Sequence, residues 1–247
     1  MANTAKFWFI SKPQYEIRGG KKGLRGVYDC LASDYDNSRY LFYTRWIERE
    51  EETIINRWLD ELSSPAIDVG CGTGRYAVKI ARMGISTIAI DLSIEVLKKT
   101  RKKGGDGILP VLADAESLPL KADSCGGIIC TLTFDHLFNP TSALGEFERV
   151  IRKNGICIMS TLNETLLKRF RRKLGIPCSY MPFRTEKCGP TLIYEKGHTE
   201  EKARKLFQEA GFRIKATELC PVLPGRLIGK LALFRKLIPL FVFKLGF

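Results

Sequence analysis

The segment Ala66-Ile67-Asp68-Val69-Gly70-Cys71-Gly72-Thr73-Gly74-Arg75-Tyr76 constrains the fold more than any other part of the chain, because an apolar strand runs straight into three glycines at alternate positions. Glycine adopts positive φ freely and has no Cβ to hold a ligand off the main chain. A helical pattern follows from Tyr76 to Met83, and the free N–H groups at its start face whatever the loop admits. A nicotinamide or flavin site would read Gly-x-Gly-x-x-Gly, whereas Arg75 stands where the third glycine of that pattern belongs. Asp68, two residues before Gly70, is poorly placed beside a pyrophosphate and well placed for a ligand carrying an ammonium and a sulfonium.

S-adenosylmethionine carries both groups, and these residues resemble motif I of the class I S-adenosylmethionine-dependent methyltransferases. The resemblance implies cofactor contacts from Asp68, Gly70, Cys71, Gly72 and Gly74. A β-branched, apolar strand over 85–90 then ends in Asp91, seventeen residues beyond Gly74. A carboxylate at that strand tip, with Leu92 after it, suits the two ribose hydroxyls. The alternative for Asp91 is to cap the helix Ile94 to Lys103, a role also open to Ser93. A third strand, Ile108 to Leu112, leads into Ala113-Asp114-Ala115-Glu116-Ser117-Leu118-Pro119-Leu120, which is similar to the family's adenine-binding segment. By that resemblance Asp114 accepts from the adenine amino group and the Ala115 N–H donates to the ring; turn capping is the alternative for Asp114.

The fourth strand, Gly126 to Leu132, is followed by Thr133-Phe134-Asp135-His136-Leu137-Phe138-Asn139-Pro140, a helix from Thr141 to Arg152 and a fifth strand, Ile156 to Ser160. This run is similar to the small-molecule branch of the family, methyltransferase type 11, which includes quinone-biosynthesis and related lipid methyltransferases; it adds Thr131 to the implied cofactor set. The expected fold is α/β, a doubly wound, mostly parallel, seven-stranded Rossmann-like sheet with helices on both faces and the donor at the C-terminal strand ends. The organisation read from the sequence is N-terminal cap helices over 1–62, an S-adenosylmethionine-binding core over 63–161, a basic substrate-cap insertion over 162–198, and the C-terminal part of the core with a basic, apolar tail over 199–247.

Length fits one elaborated domain. The longest uncharged stretch near the C-terminus, Leu237 to Phe243, falls far below the ~20 residues that span a bilayer. Met1 to Ile10 lacks the apolar core of a secretory signal. Of eight cysteines none forms a Cys-x-x-Cys pair, and the chain has two histidines, His136 and His198, so no metal is expected. Cysteines on core strands fit a reducing cytoplasm.

Charge is uneven. Residues 1–150 hold 20 basic and 20 acidic side chains, whereas 151–247 hold 20 basic and 7 acidic, which supplies the whole net charge of +13. An anionic partner is the inference: RNA phosphates, an anionic lipid or membrane surface, or an acidic small molecule. The run Leu166 to Leu174 packs five cations into six positions and reads either as part of that surface or as a solvated helical face. Residues 175–197, rich in proline, glycine and isolated aromatics, read as a cap rather than a helix. Thr199 is expected to cap a helix to Ala210 that Gly211 stops, before a sixth strand, Phe212 to Leu219. From Arg226 the tail carries no acid, and it reads as an interfacial helix on an anionic membrane or as a helix leading to a last strand, Leu240 to Phe247. The pattern Tyr28-Asp29, Ala32, Tyr35-Asp36, ahead of a helix from about Tyr43 to Leu62, is similar to one that covers the cofactor in small-molecule members.

The implied chemistry is in-line methyl transfer with S-adenosylhomocysteine as product, driven mainly by orientation. His136 is the candidate general base, with the adjacent Asp135 orienting it or acting itself. The leading acceptor is a small or lipid-like molecule, a quinone precursor among the candidates, handled in the cytoplasm with possible peripheral membrane contact. The alternative is tRNA, in the manner of wobble-uridine carboxymethyl O-methyltransferases.

Overall fold

The computed structural model describes residues 15–33, 35–36, 42–185, 188–220 and 239–247. Its elements follow in chain order: β1 (Glu16–Arg18), α1 (Gly20–Leu31), α2 (Phe42–Asn56), β2 (Ala66–Val69), α3 (Ala77–Arg82), β3 (Thr87–Asp91), α4 (Ile94–Gly104), β4 (Ile108–Leu112) and β5 (Cys125–Cys130). Then come α5 (Pro140–Val150), β6 (Ile151–Leu162), α6 (Glu164–Leu174), β7 (Tyr180–Thr185), β8 (Gly189–Tyr194), α7 (Glu200–Glu209), β9 (Arg213–Cys220) and β10 (Leu240–Gly246).

Every residue of β2 and β5 is buried, as expected for central strands of a parallel sheet covered on both faces. The seven strands run β4-β3-β2-β5-β6-β10-β9, and β10 alone is antiparallel to its neighbours. Pro110 sits on β4, at the sheet edge where a missing N–H is tolerated. Alternate side chains divide between two cores. Ile67, Val69 and Cys130 face Phe147 of α5 and Phe207 of α7, while Ala66 and Ile129 face Ile55 of α2 and Ile80 of α3. The doubly wound, seven-stranded sheet is therefore as the sequence implied, and the last strand, Leu240–Gly246, lies within one residue of the Leu240 to Phe247 expected. The helix read over Arg226 to Ile238 and the N-terminal Met1 to Ile10 fall outside the described residues.

Caps account for the clean helix starts. Ser93 Oγ accepts from the Val96 N–H, Asn139 from Ser142, Asn163 from Thr165 and Thr199 from Lys202. Ser93 is thus the cap of α4, which leaves Asp91 for another role.

A second, three-stranded sheet, β1-β8-β7, packs beside the first. The segment read as an irregular cap is here a β7–β8 hairpin, and β1 joins it in parallel, Glu16 opposite Thr191. α1 lies on this sheet through Leu24, Val27 and Leu31, against Ile193, Met181 and Phe183. Its three glycines, Gly20, Gly23 and Gly26, argue against a helix on propensity. Packing of the i, i+3, i+7 apolar face overrides them, and Gly23 is required because a Cβ there would lie 2.6 Å from the Arg18 carbonyl carbon.

The basic run is α6, and it is not a uniformly solvated face. Arg171 turns inward, 2% exposed, donating to the Cys178 and Glu195 carbonyls at 2.7 Å each and pairing with the Glu195 carboxylate. Among the described residues no helix is long and apolar enough to cross a membrane.

Candidate functional site

The C-terminal ends of β2, β3, β4 and β5 open into one cleft, roofed by α1 and the turn after it. Asp68, Gly70, Cys71, Gly72, Asp91, Leu92, Asp114, Ala115, Thr131 and His136 all line it. Gly74 and Asp135, also expected at the site, do not.

The glycine loop is shaped for close approach. Gly70 and Gly72 have φ of +67° and +53°, and a Cβ on Gly70 would strike the Thr133 side chain at 2.2 Å. Thr133 Oγ1 donates within reach of the Gly70 and Thr131 carbonyls, 3.1 Å from each, and so ties the loop after β5 to the glycine loop. Gly74, at φ +84°, instead lets α4 approach: a Cβ there would meet Thr100 Cγ2 at 2.8 Å. Its glycine is needed for packing rather than for the cleft.

Three carboxylates hang from successive strand ends. Asp68 is buried and accepts from the Ala77 N–H at 2.8 Å, at the start of α3. Burial pushes its pKa up to about 7, against the Ala77 hydrogen bond and Arg75, which pull it down. Asp91 Oδ2 accepts from the Gly72 N–H and Oδ1 from the Ser93 N–H, both at 2.9 Å, and burial raises its pKa also. Asp114 Oδ1 accepts from the Glu116 N–H, forming the turn that the alternative reading foresaw, while Oδ2 takes Lys21 Nζ at 2.6 Å. Lys21 comes from α1 and also pairs with Glu116 at 2.5 Å, so it bridges the roof to the third carboxylate.

Other contacts fasten the roof. Asp29 Oδ1 accepts from Ser93 Oγ at 2.5 Å, Asp36 Oδ1 from Thr73 Oγ1 at 2.6 Å, and Tyr35 stands over Gly72. Tyr28 Oη lies 3.1 Å from His136 Nε2. The Tyr-Asp pairs singled out in the sequence are these contacts.

Sequence reasoning missed Arg75 as a site residue, noting it only as the wrong residue for a dinucleotide. It lines the cleft and pairs with Glu51, which is fully buried and also accepts from Ser160 Oγ at 2.6 Å. Ser160 Oγ in turn accepts from the Leu132 N–H at 2.9 Å, holding Leu132 at φ 52° on the cleft wall. Among the described residues Arg75 Nη1 is buried with no hydrogen-bond partner. A buried guanidinium N–H without a partner, on a residue lining the glycine-loop cleft, suits an anionic ligand group.

His136 faces the cleft with its tautomer fixed. Nδ1 is 2.8 Å from the Tyr194 carbonyl, which can only accept, so Nδ1 carries a proton and Nε2 is the nitrogen that faces the Tyr28 hydroxyl, 3.1 Å away. Glu195 Oε2 lies 3.9 Å from Nε2, and burial raises the pKa of that carboxyl against the pull of His136 and Arg171. Asp135 does not orient this ring. Its carboxylate is inside the core, accepting from Thr161 Oγ1 at 2.5 Å and the Leu162 N–H at 2.8 Å, with His198 Nδ1 3.3 Å away. The 3₁₀ turn over Phe134–His136 explains the split, since successive side chains there diverge by about 120°. Around His136 the wall is aromatic: Phe138 stacks on Tyr194 with ring centres 4.6 Å apart, and Tyr28 meets Phe183 at 6.4 Å.

The donor set fits S-adenosylmethionine. Asp68 suits its ammonium, Arg75 Nη1 its carboxylate, the Asp91 carboxylate its ribose, and the Gly70–Gly72 loop its close passage over the backbone. Among the described residues no group of three or more histidines, cysteines or acids is arranged to hold a metal ion.

Comparison with known proteins agrees with this geometry. Residues 67–159 match the model of the methyltransferase domain family of type 11. An uncharacterized protein of Methanocaldococcus jannaschii is 33% identical over 143 residues, 58% of this chain and 53% of that one. A malonyl-[acyl-carrier protein] O-methyltransferase of Hamiltonella defensa is 37% identical over 112 residues, 44% of this chain and 42% of that one. A ubiquinone biosynthesis O-methyltransferase of Xanthomonas oryzae is 32% identical over 111 residues, 43% and 46% of the two chains. The chain spans about half the length of these curated relatives. Magnesium protoporphyrin IX methyltransferase from Synechocystis, solved with bound S-adenosylhomocysteine, shares the fold at a TM-score of 0.64 and 16% identity, covering 91% of this chain and 98% of that one. An S-adenosylmethionine-dependent methyltransferase structure from Listeria monocytogenes gives 0.63 at 14% identity, covering 80% and 98%.

Proposed function

We propose that the chain is a class I S-adenosylmethionine-dependent methyltransferase of the type 11 branch, the family whose domain model matches residues 67–159, and that it methylates a small or lipid-like acceptor bound between His136 and the aromatic wall. The observation that carries the reading is the position of His136. It stands at the cleft end of the strand neighbouring the glycine-loop strand, in a fixed tautomer, with Tyr28 on its free nitrogen and aromatic rings around it. When bound, S-adenosylmethionine supplies an electrophilic methyl group on sulfur.

The chain's residues do the rest. Asp68, Arg75, Asp91 and Asp114 would hold the donor, and Lys21, which pairs with Asp114, would share that carboxylate with it. α1 closes the site to water, which strengthens every charge interaction inside. His136 Nε2 accepts the acceptor's proton through, or in place of, the Tyr28 hydroxyl, and the Tyr194 carbonyl steadies the ring as it becomes cationic. Glu195 faces that developing charge. Holding nucleophile and methyl carbon in line can itself supply about 7 to 11 kcal/mol. A proton-accepting histidine favours a hydroxyl or an acidic carbon over an amine, and the named O-methyltransferase relatives are consistent with oxygen as acceptor. A quinone precursor is one such acceptor.

The test incubates the full chain with donor carrying a labelled methyl group and a lysate, then counts label in lipid extract, small solutes, protein and bulk tRNA. Label in lipid or small solutes is expected. Ribonuclease-sensitive label would overturn the reading in favour of tRNA.

A further inference from the structure

α6 has two faces with opposite environments. On the inner face Arg171 is clamped by Glu195, which stands 3.9 Å from His136 at the acceptor end of the cleft. On the outer face Lys168, Arg169, Arg172 and Lys173 are exposed. Lys168 pairs with Glu164 at 2.7 Å, whereas among the described residues no acid pairs with Arg169, Arg172 or Lys173. Beside these cations Leu166, Phe170 and Leu174 recur every fourth residue and form a stripe. Phe170 is 54% exposed and Leu174 38%, so two of the three residues of this stripe have no core to serve.

A helix with an all-cationic polar side and an adjacent solvent-facing apolar stripe is suited to lie in a lipid interface. Cations alone would suit any polyanion. The apolar stripe separates the cases, because Leu174 has no ring on which a base could stack, while an acyl boundary accepts leucine and phenylalanine alike.

We infer that α6 docks the protein on an anionic lipid surface, with Phe170 and Leu174 entering the headgroup boundary and Arg169, Arg172 and Lys173 over the lipid phosphates. The same helix then reaches, through Arg171 and Glu195, the end of the cleft where the acceptor binds, so a lipid-like acceptor is met at the surface it comes from. This deepens the reading of a lipid-like acceptor and rests on it for its purpose, not for its test.

The experiment is co-sedimentation of the full chain with vesicles of phosphatidylcholine alone or with about 30% phosphatidylglycerol. Binding to the anionic vesicles only is expected, falling as salt rises. The triple variant Arg169→Gln/Arg172→Gln/Lys173→Gln should weaken it by about a hundredfold, and Phe170→Ser/Leu174→Ser by about tenfold. Both should leave S-adenosylhomocysteine binding unchanged, a check on folding. Absence of vesicle binding, or binding that neither variant alters, overturns the inference. So does a triple variant that loses tRNA binding while vesicles are never bound. Labelling of lipid extract without vesicle binding would sink the docking surface and spare the acceptor reading; vesicle binding with no lipid or small-solute label would do the reverse.

Discussion

At the scale of single residues, the decisive feature is a carboxylate that burial has brought into the physiological range. Asp68 has its pKa pushed up to about 7, and an ammonium needs it ionised. Below pH 7 each unit should therefore cost about tenfold in affinity for S-adenosylhomocysteine, and above it the affinity should level off. Calorimetric titration between pH 5.5 and 8 checks this, and Asp68→Asn should bind weakly with no such slope. A flat profile in the unsubstituted protein would exclude Asp68 as the ammonium's partner. His136 makes a separate prediction: His136→Ala should lower kcat by about 10²- to 10⁴-fold with donor binding intact. A fall under about threefold would remove it as a base. The strand-end carboxylates were legible because each follows its own strand locally. The Tyr28–His136–Tyr194 cluster was not, since its members lie 108 and 58 positions apart in sequence.

Among the elements, α1 shows how packing overrules propensity. Gly26 has open space where a Cβ would go, whereas Gly23 abuts the Arg18 backbone. Gly26→Ala should stabilise the protein by about 0.5 to 1 kcal/mol, and Gly23→Ala should destabilise it by about 1 to 3 kcal/mol; urea unfolding measures both. Equal effects would mean that β1 does not sit against α1 as described. α6 makes the complementary point. Its cations looked alike in the sequence, but Arg171 is the one that faces inward. Arg171→Met leaves Glu195 buried without its partner and should cost about 3 to 5 kcal/mol, against less than about 0.5 for Arg172→Met. Comparable losses in the two variants would refute the buried pair.

Over the whole molecule, the central sheet and the second sheet were unequally legible. The strands β2 to β6 announced themselves because each is an apolar or β-branched run closed by a turn, and their order follows from parallel crossovers that pack helices on both faces. The second sheet joins β1 to β8 across more than 170 residues, Glu16 opposite Thr191, and no local pattern carries such a pairing. Asp135 and His136 make the same contrast at close range, adjacent in sequence yet one in the core and the other in the cleft. The α/β class, the glycine loop, the three strand-end carboxylates and the surplus of basic charge after residue 150 could be read from the chain unaided, because these depend on residue type and short spacing. Arg75 with a buried N–H that lacks a partner among the described residues, Gly74 serving the approach of α4, Arg171 buried and α1 roofing the cleft became visible in three dimensions alone, because burial and hydrogen-bond partners are properties of what the fold brings together.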